Sequence, residues 1–149
     1  MKNTKFSIAV VLINPNNSDE ILAVKRPHGD NSLPGVWGLP AVTVEEGELS
    51  EAAVKRLGVE KLATQIQAES YIGIQYDERA DYGIILMDIR ATLVGDEPAV
   101  ENAQTSKTKY VAQKWTSDLS IFTEAAAKGS LCVRILVESK DVSREYVPV

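Results

Sequence analysis

The residues best placed by type and spacing to do chemistry in this 149-residue chain lie between Glu45 and Glu60. Three carboxylates, Glu45, Glu46 and Glu48, crowd a turn around Gly47, and an amphipathic segment follows directly. Carboxylates gathered at a loop–helix junction can hold a hard divalent ion. Magnesium takes a few carboxylate oxygens and leaves the rest of its octahedron to water and phosphate. By charge alone the cluster is not specific, because acidic residues in a first helical turn also complement the helix dipole.

The periodicity predicts a helix over Leu49–Leu62. At roughly 100° per residue, Leu49, Ala53 and Leu57 fall about 20°, 60° and 100° from Arg56, with Ala52 about 40° on the other side. That reads as a buried stripe, and Arg56 and Glu60 fall inside it. A charged i, i+4 pair on an inward face is costly unless it is paired or functional. The competing reading puts Arg56 and Glu60 at the edge of the stripe as an ordinary helix salt bridge.

These residues need elements to position them. Phe6–Ile13, rich in β-branched side chains, reads as a strand ending at the turn Asn14-Pro15-Asn16-Asn17. With Ile21–Lys25 it forms a predicted hairpin. Residues 27–40 hold three prolines and three glycines and read as loop. Glu69–Tyr76 and Tyr82–Val94 read as strands joined by the polar turn 77–81, and Tyr110–Trp115 as another. Ser117 is the expected cap of a helix reaching Lys128, stopped by Gly129. Leu131–Val137 is apolar and fits strand or helix equally well. Strands mixed with helices over this length imply one α/β layered domain, residues 1–149.

Composition narrows the partners. Sixteen Lys and Arg against 21 Asp and Glu give a net charge of -5, which opposes wrapping of a nucleic-acid backbone. It leaves room for a small phosphorylated ligand, which needs only local cations or a bridging metal. A single cysteine, Cys132, excludes an internal disulfide and a Cys-based zinc site within one chain. A single histidine, His28, argues against a Ser-His-Asp triad. The first apolar run is too short to span a bilayer, so no membrane association and a cytoplasmic location are expected.

Residues 35–63, GVWGLPAVTVEEGELSEAAVKRLGVEKLA, resemble the Nudix box, G-x5-E-x7-R-E-U-x-E-E-x-G-U with U aliphatic. Trp37-Gly38-Leu39-Pro40 is similar to the usual lead-in, Ile21–Pro27 to the preceding strand and basic turn, and Trp115–Cys132 to the end of many Nudix domains. Without gaps, Glu48 falls on the first glutamate, Arg56 on the arginine and Glu60 on the first of the paired glutamates. The box is degraded. Ala41 and Val42 replace the usual glycines, Leu57 and Lys61 stand where two glutamates belong, and Ala63 replaces the last glycine. A register with one deletion puts Lys55 on the arginine and Glu60 on the second paired glutamate, and it too keeps one glutamate of the pair.

The resemblance implies an α/β/α sandwich with a mixed sheet, and attack of water on phosphorus of a nucleoside diphosphate linked to another moiety. It implies Glu60, Arg56 and Glu48 as the catalytic set. It implies weakly bound Mg2+ or Mn2+ on Glu60, Glu48 and Glu45, and a homodimer. Arg26, Trp37 and Lys61 are the expected ligand contacts, with Lys61 a fixed cation in place of lost metal charge. The general base is not identifiable, although Asp77, Glu78 and Asp81 sit where one could reach. Three readings follow: a divergent pyrophosphohydrolase, a Nudix-fold module that binds a phosphorylated ligand without turnover, and a structural subunit that docks through its helix.

Overall fold

Ser7 through Leu12 form an unbroken buried run, which a strand can sustain only when both its faces are covered. In the computed structural model this strand, β1 (Asn3–Asn14), lies at the centre of a seven-stranded mixed sheet. The structure describes the backbone of residues 3–30, 33–105 and 107–145, and side chains through residue 139. β1 runs parallel to β6 (Tyr82–Leu93) along its whole length, from Asn3↔Tyr82 to Ile13↔Thr92. β6 in turn pairs antiparallel with β5 (Ile66–Glu78).

The opposite edge of β1 is shared. Its far end forms the hairpin with β2 (Asn17–Lys25), and its near half pairs with the short β4 (Ala41–Thr43), Ser7 facing Thr43. β2 also pairs with β3 (Trp37–Gly38) and β7 (Ala112–Thr116). β4 carries the chain from the Gly/Pro loop into α1 (Ser50–Lys61), so this edge delivers the helix to the sheet.

Alternate residues of β1 serve two cores. Ile8, Val10 and Leu12 pack with Ala53, Val54 and Leu57 of α1, and Ala9 and Val11 pack with Leu131, Val133 and Leu136 of α3 (Leu131–Glu145). The result is the α/β/α sandwich that the resemblance implies. α1 sits close because it carries Gly58, where an added Cβ would come within 2.8 Å of Ile66 Cγ1 and 2.9 Å of the Thr64 carbonyl.

Two expectations change and one open alternative resolves. The buried stripe of α1 is Ala53, Val54, Leu57, Gly58 and Lys61, so it is rotated away from Leu49, which is 74% exposed, and from Ala52. Arg56 and Glu60 therefore flank the stripe. The segment after Trp115 is not one helix capped by Ser117. Asp118 accepts from the Ser120 amide and opens a 3-10 turn over Leu119–Phe122, followed by the short α2 (Thr123–Ala127). Leu131–Val137 resolves as the start of α3, with Gly129 at φ +96 making the turn into it.

Candidate functional site

Arg56 organises the acidic elbow. Its Nε and Nη2 form a two-pronged ion pair with Glu48, at 2.9 and 3.0 Å, and Nη2 also donates to the Thr43 carbonyl at 2.7 Å. Nη1 lies 3.3 Å from Glu60 Oε1 and 3.7 Å from Glu45 Oε1. A planar guanidinium suits this, since its donors are set in a fork that matches carboxylates two at a time. Glu48 closes the elbow on itself by accepting from the Glu45 amide at 3.0 Å. The Arg56 hydrogen bond, and then that amide, hold the Glu48 carboxyl below the usual glutamate range, and Glu48 in return raises Arg56.

The pair is near the surface, with 13% of the Glu48 side chain and 21% of Arg56 exposed, so its strength is moderated by solvent. Arg56→Ala is expected to cost about 2 kcal/mol, through the lost fork and the strand–helix tie at Thr43. Arg56→Lys is expected to recover less than half, because one ammonium cannot make both bonds. Chemical denaturation of the three proteins checks this; full rescue by lysine would mean that charge rather than geometry matters.

Lys61 is the departure with the largest structural consequence. It is 8% exposed, its Nζ donates to the Ala41 carbonyl at 2.7 Å, and it stands 5.5 Å from the centre of the Tyr110 ring. The Tyr110 hydroxyl accepts from the Ala41 amide at 3.0 Å, so Ala41 is fixed on both sides. Burial, and then the field of Arg26, lower Lys61 to about 8. The ammonium therefore sits at the end of α1 beside Glu60, on the cleft side of β4.

The cleft has a volume of about 480 Å³. Its floor is Ile84 and Leu86 of β6, one wall is Ala41–Thr43 with Arg56, Glu60 and Lys61, and the other is Gly129–Cys132 at the start of α3. Among the described residues, seven cations line it: Lys5, Arg26, Arg56, Lys61, Arg79, Lys107 and Lys128. Glu45 and Glu60 line it beside them, and four of the cations are ion-paired to carboxylates outside the lining: Arg26 with Asp30, Arg56 with Glu48, Arg79 with Asp77 and Lys128 with Glu124. In a chain of net charge -5 the lining still holds more cations than acids, an excess that the ion pairs moderate and that favours anions. A second depression, by Pro27, Glu101 and Tyr110, is wide and shallow.

The expected residues divide. Glu48, Arg56, Glu60 and Glu45 come together, and Arg26 and Lys61 line the cleft. Trp37 does not. It packs on the α3 side of the sheet with Lys114 Nζ 4.9 Å above its ring, so it closes the core rather than offering a stacking face to the cleft. In the 77–81 turn the cleft residue is Arg79, whose Nη2 donates to the Gly129 carbonyl at 3.1 Å and whose Nη1 pairs with Asp77 at 3.3 Å. None of Asp77, Glu78 and Asp81 lines the cleft.

The metal set Glu60, Glu48 and Glu45 fits poorly. Each of these carboxylates is turned on the Arg56 guanidinium, Leu57 is fully buried in the core, and Lys61 brings a cation to the remaining position. No group of three His, Cys, Asp or Glu among the described residues is arranged to hold a metal ion. Sequence reasoning missed Lys5, Arg79, Lys107 and Lys128, which reach the cleft from four separate parts of the chain and share no local pattern.

The family model described as NUDIX domain matches residues 4–117. No curated protein matches. Among solved structures, the fold is similar to a NUDIX hydrolase from Nitrosomonas europaea, with a TM-score of 0.72 and 19% identity, covering 95% of this chain and 90% of that one. A MutT protein from Methanosarcina mazei Go1 has a TM-score of 0.67 and 18% identity over 93% and 97% of the two chains. An ADP-ribose pyrophosphatase from Streptococcus suis 89-1591 has a TM-score of 0.58 and 16% identity over 90% and 91%.

Proposed function

The chain belongs to the NUDIX domain family, and from that premise we propose that its cleft binds a nucleotide-like diphosphate while pyrophosphohydrolysis is severely impaired. The observation that carries this reading is the cationic lining, in which Lys5, Lys61 and Lys107 join four ion-paired cations around a volume suited to a small ligand. Diphosphates need closely spaced positive charge, and the cleft supplies it from side chains. Nudix enzymes generally use a divalent metal to neutralise the phosphoryl group. Here two of the three expected glutamate positions are Leu57 and Lys61.

A hydrolase reading keeps one specific support. Glu48, Arg56 and Glu60 persist at the family's spacing, and Glu60 still lines the cleft. A homodimer, which the family likeness implies, and a cytoplasmic location are part of the same proposal.

The two readings separate in one experiment. ADP-ribose and dinucleoside polyphosphates are offered first in EDTA and then with Mg2+ or Mn2+, with phosphate release followed after phosphatase coupling and melting followed in parallel under both conditions. The binding reading expects a raised melting temperature and no turnover. Turnover abolished by Glu60→Gln would establish the hydrolase instead, and neither effect would remove the phosphate site altogether.

A further inference from the structure

The binding reading leaves open in what form a diphosphate enters the cleft. In solution near neutral pH, with magnesium present, nucleoside diphosphates circulate largely as their magnesium complexes. The position at the end of α1 is filled by an ammonium that cannot leave: Lys61 is 8% exposed and tied to the Ala41 carbonyl. Glu45 and Glu60, which line the cleft, and Glu48 behind them are paired with Arg56, which offsets part of the negative charge that would welcome a cation. Around Lys61, Arg26 and Lys107 line the same wall region, and Lys5, Arg79 and Lys128 line the cleft beyond. A magnesium ion carried in on the phosphates would meet this array as a like charge, in a site where field lines are focused by apolar walls such as Ile84 and Leu86.

We propose that the cleft takes the diphosphate as the free, metal-stripped anion, with the Lys61 ammonium as the built-in counter-ion. This rests on the binding reading and specifies the chemical form of its ligand. Lys61 then does for the phosphates what a bound cation does elsewhere. It does so at fixed position, as a point charge with one donor spent on Ala41 and the others available. Arg56 contributes by pairing with the carboxylates of the elbow, which offsets part of their charge.

The test is calorimetric titration of the whole chain with ADP, once in EDTA and once in excess magnesium. Binding is expected in EDTA and at least tenfold weaker with magnesium. Lys61→Met, which keeps the apolar stem and removes the charge, is expected to weaken ADP binding in EDTA at least tenfold. Circular dichroism verifies that the variant is folded, and the magnesium comparison on the unaltered chain stands without it. Equal affinity in both buffers, or binding only with magnesium, overturns this inference and leaves the binding reading in place. No ADP binding in either buffer overturns both.

Discussion

Raising the pH from 5 to 9 is expected to destabilise this protein by several kcal/mol, and Asp88→Asn to abolish most of that loss. Asp88 is 0% exposed on β6, on the same face as Ile84 and Leu86, and neither carboxylate oxygen has a hydrogen-bond partner. It lies opposite Ala9 of β1 and Gly73 of β5, and α3 packs so closely there that a Cβ on Gly73 would come within 2.7 Å of Ile135 Cγ2. Among the described residues no cation compensates it. Burial alone raises the carboxyl from 3.8 to about 8.

The sign follows from which state holds the proton. Below the unfolded value both states are protonated and the folded state suffers no charge penalty. Between the two values the folded chain keeps a proton that the unfolded chain has lost. Stability therefore falls as pH rises, by about 1.4 kcal/mol per unit, until the folded value is passed. The neighbouring thiol, Cys132, is raised to about 11 by burial and then by the Asp88 charge, so it remains neutral over most of this range. Its contact is the Ser130 hydroxyl at 3.3 Å. Glu48 works in the opposite sense but only in acid, because its depressed value makes its contribution disappear as pH falls through that value. Lys61, lowered by burial to about 8, offsets part of the loss above that pH, where the unfolded chain keeps a proton that the folded chain has released. Urea unfolding at pH 5, 7 and 9 checks the prediction. Asparagine should be no better than aspartate at pH 5 and clearly better at pH 9. Parallel curves for the two proteins would mean that Asp88 ionises at little cost.

Leu57→Glu, which restores a family glutamate, is expected to destabilise the protein by about 4 kcal/mol and to create no metal site. Leu57 has no exposed surface and packs with Ile8, Val10, Leu12 and Val54. The substitution removes a packed leucine and buries a carboxylate in its place, and each of these alone is costly. Leu57→Met, which keeps volume and apolarity, should cost less than about 1.5 kcal/mol. Denaturant unfolding of the two variants, with and without magnesium, measures both halves. A folded Leu57→Glu protein stabilised by magnesium would show that α1 presents position 57 to the cleft rather than to the core.

Much of the fold is readable from local pattern. Phe6–Ile13 is a strand because its β-branched run ends at Asn14-Pro15, and Leu49–Leu62 is a helix because its apolar spacing has helical period. What defeats local reading is tertiary in origin. Leu131–Val137 is apolar without clear alternation because α3 is largely buried there, and a buried helix and a buried strand look alike over seven residues. Ser117 is the expected cap, and the side-chain acceptor is its neighbour Asp118. The stripe of α1 was misplaced because Ala52 and Ala53 mark a face weakly, while Gly58 and Lys61, which carry the contact, do not look apolar.

The site divides along the same line. Glu48, Arg56 and Glu60 were legible because they lie on one elbow and one helix, at spacings a short segment fixes. Most of the cleft's positive charge was not, because Lys5, Arg79, Lys107 and Lys128 converge with Arg26 and Lys61 only once β1, β6 and the start of α3 are assembled. Net charge pointed the other way and concealed it.

The most direct measurement of the central claim is a 15N-resolved NMR titration of the chain with a nucleoside diphosphate, first in low salt and then in high salt. The cationic cleft predicts shifts concentrated at Ala41–Thr43, Lys61 and Gly129–Cys132, shrinking as salt screens the field. Shifts confined to the shallow groove by Pro27 and Tyr110, or none at all in low salt, would contradict it.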